Sequence, residues 1–135
     1  MEFIIPVYIL FFNTQWDMDI LVIDDNPEID KMLKKFLELK GNKCTITTNG
    51  RMGLNIMRQH KFDSIILDLA MPEFTGFDVI NELSKSGEIK NQKITVLTAA
   101  TVTEDKANDL RKTGVNAVLR KPVGTDVLLK TIGID

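Results

Sequence analysis

Five short apolar runs recur along the chain, each followed by a stretch with helical spacing, and this beat restricts the available folds more than any other feature. The runs are ILVIDD (20–25), CTITT (44–48), SIILD (64–68), KITVLT (93–98) and AVLRK (117–121). Each has strand length, and the first, third and fourth are apolar at consecutive positions rather than at every second one. Such strands belong in a parallel sheet covered on both faces. The intervening segments supply the cover. After the first run, Ile29, Leu33, Phe36 and Leu37 fall on one helical face, Asn26 is placed to cap that helix with Pro27 at its first position, and Gly41 to end it in a left-handed conformation. After Asn49-Gly50 a second helix is expected, with Met52, Ile56 and Met57 along one side; FDVINELSKS and TDVLLKTIG provide the third and fifth helices. Thr101 and Glu104 match a capping box before the fourth. SKSGEIKNQ (84–92) reads as a polar loop. The expected fold is α/β, a doubly wound five-stranded parallel sheet flanked by five helices.

In such a sheet ligands bind beyond the carboxyl ends of the strands. The residues at those ends are Asp24 and Asp25 after the first strand, Asp68 after the third, Thr98 after the fourth and Lys121 after the fifth. Their separations correspond to one or two crossover units of about 30 residues, so all five converge on one edge. Three carboxylates brought together repel, and each raises the others' pKa unless a cation holds them ionised. Oxygen ligands alone select magnesium, manganese or calcium over zinc. A lysine and a threonine hydroxyl opposite such a cation form a cradle for a phosphoryl group. Taken singly, Asp68 reads as an exposed strand-end acid, and Asp24 and Asp25 as acids favoured by a helix dipole; their joint placement gives the site reading its weight.

Composition narrows the function classes. A chain of 135 residues, 44% hydrophobic and 27% charged, suits one globular domain. A net charge of −2 offers no general attraction to nucleic acid or an anionic membrane. The single cysteine, Cys44, forms no internal disulfide and reads as a small core residue, and the single histidine, His60, excludes a multi-histidine metal site and reads as a solvated surface residue. A reduced, cytoplasmic protein is expected.

From about Met18 to Asp135 the chain resembles the receiver domain of two-component response regulators. The resemblance rests on VIDDN for the acidic pair, ILDLAMPEFTGFD for the phosphoacceptor strand and its Met-Pro-x-x-x-Gly loop, VLTA for the switch hydroxyl and LRKPV for the lysine followed by proline. It implies a flavodoxin-like strand order of 2-1-3-4-5 and a stand-alone signalling phosphoacceptor rather than an enzyme. Asp68 would take the phosphoryl group from a histidine kinase or phosphotransfer protein. Magnesium, with manganese or calcium able to replace it, would be held by Asp24, Asp25, Asp68 and the backbone carbonyl of Ala70. Thr98 and Lys121 would hold the phosphoryl oxygens, and small Ala70 and Ala99 would leave the site open to the donor and to water. A downstream protein target is implied but not named.

Two departures accompany the resemblance. Val118 stands where the family commonly has an aromatic residue three positions before the lysine, and the last helix, between Gly124 and Gly133, is short. The missing aromatic and the unusual amino terminus favour one alternative, a receiver-like interaction module that works without phosphorylation. An aspartyl-phosphate hydrolase needs a second acid two residues after the nucleophile, where this chain has Ala70. Residues 1–17 precede the domain, which is expected over 18–135. The apolar segment from Phe3 to Phe12 is short for a membrane span, is broken by Pro6 and lacks a signal-peptide pattern. It reads either as an added arm, an extra strand or a dimer contact through residues 3–12, or as an upstream extension of a domain that begins at Met18, so the protein is expected as a monomer or a dimer.

Overall fold

The computed structural model describes residues 16–134; the apolar arm and its dimer contact through 3–12 lie outside the described residues. The strands are β1 (Asp19–Ile23), β2 (Lys43–Thr47), β3 (Ser64–Leu67), β4 (Ile94–Thr98) and β5 (Ala117–Arg120). The helices are α1 (Pro27–Leu39), α2 (Gly50–Gln59), α3 (Gly76–Ser86), α4 (Glu104–Thr113) and α5 (Thr125–Ile132). All strand pairs are parallel, in the order β2-β1-β3-β4-β5. This is the expected doubly wound, flavodoxin-like arrangement.

The core splits across the sheet. On one side Leu21, Ile23, Ile65, Leu67 and Val96 pack with Leu54, Met57, Val79, Leu83 and Leu110 of α2, α3 and α4. On the other, Ile20, Val22, Ile66 and Leu97 pack with Leu33 and Leu37 of α1 and Leu128 and Ile132 of α5. β1, β3 and β4 are buried almost throughout because they lie between neighbours and under helices on both faces; β2 and β5, at the edges, are only partly buried. Cys44 is buried in β2, and burial pushes its thiol up to about 12, leaving it an inert core residue. The fold reaches back to Asp17, whose N–H donates to Gly41 O at 2.8 Å.

Several local expectations hold and others change. Asn26 Oδ1 accepts from Glu28 and Ile29, Pro27 opens α1, and Gly41 takes φ +90°. Met52, by contrast, is more than half exposed, and the inward face of α2 is made by Gly50, Gly53, Leu54 and Met57. The reason is steric: a Cβ on Gly53 would lie 2.6 Å from Ile23 Cδ1, so a glycine lets α2 approach the sheet and turns Met52 outward. The cap of α4 is Thr103, accepting from Lys106 N at 3.1 Å, and not Thr101. Glu104 is thus the first helical residue, too early to close a box. The capping box belongs to α3: Thr75 Oγ1 accepts from Asp78 N at 3.2 Å and Asp78 Oδ2 from Thr75 N at 2.9 Å. The segment 84–92 is no simple loop, for α3 ends at left-handed Gly87 and a 3-10 turn (Glu88–Asn91) buries Ile89 against the core. Replacing Thr75 by Ala removes one side of the box and is expected to cost about 1 kcal/mol, read as a lower denaturant midpoint with an unchanged slope.

Candidate functional site

The carboxyl ends of the three central strands and β5 bring the five residues together. The backbone sets most of the positions. Asp24 N–H donates to Thr47 O at 3.1 Å, Asp68 N–H to Ile23 O at 2.9 Å, and Lys121 N–H to Thr98 O at 2.8 Å, so each residue continues the ladder by one step before the chain turns away. One carboxylate oxygen from each of Asp24, Asp25 and Asp68 lies within 4.8 Å of the others. Asp24 and Asp68 are 2% and 5% exposed, whereas Asp25 faces solvent. Lys121 Nζ donates to Asp24 Oδ2 at 2.7 Å, and Asn26 N–H to Asp24 Oδ1 at 2.9 Å. Thr98 is fully buried, its Oγ1 accepting from Ala100 N at 3.1 Å. Ala70 donates its N–H to Asp68 Oδ1 at 3.3 Å, and Ala70 and Ala99 are both exposed at the rim.

The electrostatics follow from three acids sharing one lysine. Burial, and then the charge of Asp24, hold the Asp68 carboxyl above the ordinary carboxylate range; the Thr98 hydroxyl, Lys121 and the Ala70 N–H offset part of this. An acid raised in the folded state favours folding when protonated, so its contribution is lost as pH rises through its folded value. The cluster has surplus negative charge and oxygen donors only, two of its carboxylates withdrawn from water. These residues fit a hard divalent cation.

Two features of the site, at Arg120 and Asp30, were not read in the sequence. Arg120 donates from Nε at 3.2 Å and Nη2 at 2.9 Å to Val102 O, and pairs with Glu104 at 3.0 Å, tying the end of β5 to the loop between β4 and α4. Val118 is buried in the core one strand step away, with no aromatic ring in its place. Asp30 of α1 is 3% exposed, with both carboxylate oxygens lacking a hydrogen-bond partner. Its signal was legible: position 30 stands one and two turns before Leu33 and Leu37 on the inward row of α1. His60 is exposed as expected, but its Nε2 lies 2.8 Å from Asp19 Oδ2 at the far end of the sheet from these acids.

The family model of the response regulator receiver domain matches residues 20–133. The protein PilH of Pseudomonas aeruginosa is 34% identical over 113 residues, which make up 84% of this chain and 93% of PilH. Among solved structures, the chemotaxis protein CheY4 of Vibrio cholerae superposes with a TM-score of 0.74 at 30% identity, over 84% of this chain and 94% of that one. The response regulator TrrA of Thermotoga maritima, solved in complex with Mg2+ and BeF, gives 0.70 at 30% identity, over 84% and 95%.

Proposed function

This chain belongs to the response regulator receiver domain family, and from that premise we propose that it is a stand-alone phosphoacceptor, taking a phosphoryl group onto Asp68 from the phosphohistidine of a histidine kinase or phosphotransfer protein. One observation carries the reading: Asp68 is buried at a strand end where Asp24, Asp25, Lys121 and Thr98 meet. A magnesium ion there would keep the acids ionised and offset charge on the equatorial phosphoryl oxygens.

The chain's own residues do the rest. Asp25 and Asp24 would hold the cation with Asp68 and the Ala70 carbonyl. An oxygen of Asp68 attacks phosphorus in line, and the bond from phosphorus to the imidazole nitrogen breaks, its electron pair leaving with the ring. Lys121 supplies its ammonium to one phosphoryl oxygen, and the Thr98 hydroxyl donates to another. Ala70 and Ala99 leave the rim open to the donor, and later to the water that hydrolyses the acyl phosphate. Movement of Thr98 draws on the loop that Arg120 holds at Val102, so the signal reaches a downstream protein through the face of α4, β5 and α5 despite Val118.

Among the described residues no helix is long and apolar enough to cross a membrane. We place the protein in the cytoplasm, with 18–135 as the receiver and 1–17 as an extension to it. Incubating the full chain with acetyl phosphate and Mg2+, then weighing it intact, tests the proposal: a single phosphoryl gain that disappears with a chelator is expected. No gain with magnesium present would overturn it in favour of an interaction module that works unphosphorylated.

A further inference from the structure

The inward row of α1 is Asp30, Leu33 and Leu37. The two leucines pack against Ile20, Val22, Cys44, Ile66, Leu97 and Leu128. Asp30 heads that row, equally buried, and none of its carboxylate oxygens meets a donor. An ionised carboxylate in that position is costly without a hydrogen-bond donor of its own, so burial favours the protonated form of this side chain. The charges that act on it are carried by three loops: Asp24 and Asp25 after β1, Asp68 after β3, and Lys121 after β5. Three acids outnumber one lysine, and that lysine is already engaged with Asp24 at 2.7 Å. Burial and then Asp24 push the Asp30 carboxyl up to about 7, with Lys121 pulling the other way.

We propose that Asp30 is a fourth acid of the pocket, a positioning residue that gains its negative charge when a divalent cation settles on Asp24, Asp25 and Asp68, so that cation binding releases a proton. This rests on the cation site of the proposed function. A divalent charge there cancels the surplus negative charge that Asp30 faces, and makes Lys121 available to it. Opposite charge nearby lowers a carboxyl pKa by one to three units. By reciprocity, whatever the cation does to the Asp30 proton, loss of that proton does to the cation. Affinity therefore rises with pH through neutrality, and one unit of coupling is tenfold in affinity.

The test is calorimetric titration of Mg2+ into the full chain at pH 6 and pH 8, each in two buffers of different ionisation enthalpy, for wild type, Asp30→Asn and Asp30→Leu. Titration of Asp68 is common to all three, so the difference isolates Asp30. For wild type the expected gain in affinity from pH 6 to pH 8 exceeds that of either variant by about tenfold, with a buffer-dependent heat that reports proton release. In both variants that extra gain and heat are gone. Equal pH responses and equal proton counts in wild type and variants would overturn the inference while leaving the cation site intact. If wild type binds no Mg2+ at either pH, while still folded by circular dichroism, the cation site and the inference fall together. Cation-free stability gives a second reading. The folded state holds the Asp30 proton more tightly than the unfolded one, so wild type loses stability as pH rises from about 4 to about 7, and Asp30→Asn is expected to flatten that fall.

Discussion

Asp68→Asn is expected to abolish phosphoryl uptake from acetyl phosphate while making the cation-free protein more stable at neutral pH. Both halves come from the same geometry. The amide has the shape of the carboxylate but no nucleophilic oxygen of comparable strength, and no other described carboxylate combines strand-end burial with Lys121 and Thr98 beside it. The loss is therefore to background rather than partial. Stability moves the other way because the Asp68 charge is withdrawn from water and set against Asp24, and a neutral amide relieves that repulsion. Intact mass reads the first half and thermal denaturation at pH 7.5 with a chelator reads the second. An undiminished mass gain would remove Asp68 from its role; a lower melting temperature would contradict the repulsion argument. Gains in stability on removing a functional group are common where sites hold unfavourable charge.

Gly76→Ala is expected to have the largest effect of any methyl addition in the chain. Gly76 is the first residue of α3 and touches the backbone of the turn that follows β3. A Cβ there would sit 2.7 Å from Leu69 Cα and closer still to the Asp68 carbonyl oxygen. Backbone has no rotamer in which to retreat. Alanine ordinarily gains up to about 1 kcal/mol over glycine inside a helix, but here overpacking by 1–3 kcal/mol or more prevails. The Gly76 N–H bond to Leu69 O at 3.1 Å, which closes the turn, is strained in the same step. Because displacement of about 1 Å at a reacting group costs about a hundredfold in rate, slower phosphorylation is expected even where the variant folds. Chemical denaturation and the rate of mass gain check the two parts; a variant as stable and as fast as wild type would show that the turn yields. Gly53→Ala serves as contrast, since its added methyl meets the side chain of Ile23, which can adjust.

Much of this molecule was legible in the residues alone. Consecutive apolar positions in ILVI, SIIL and ITVL demanded cover on both faces, and strand-to-strand connections of this length run parallel, so the α/β sheet followed. With the sheet given, Asp24, Asp25, Asp68, Thr98 and Lys121 had to share one edge, because each ends a strand. The local errors share a cause. Met52 has the apolarity of a core residue but was displaced by Gly53, whose missing side chain lets α2 close on Ile23. Thr103 displaced Thr101 as cap because Glu104 already stands in the first turn of α4, beside Arg120. In both cases contacts between elements overrode a pattern that is sound within one element.

Asp30 marks the boundary most clearly. Sequence periodicity places it on the inward face of α1 with Leu33 and Leu37, and by itself says only that an acid stands in an apolar row. The charges that act on it come from three loops, two of them distant in the chain, which carry Asp24, Asp68 and Lys121. The sequence by itself determined which elements form, which way the strands run and which residues reach the edge of the sheet, since those depend on periodicity and on position within a strand. Only the tertiary structure decided how many acids share the single lysine, which of them lose contact with water and which backbone approaches leave no room for a methyl group. Charge and close packing act through distances between residues far apart in the chain, and no local pattern encodes those distances.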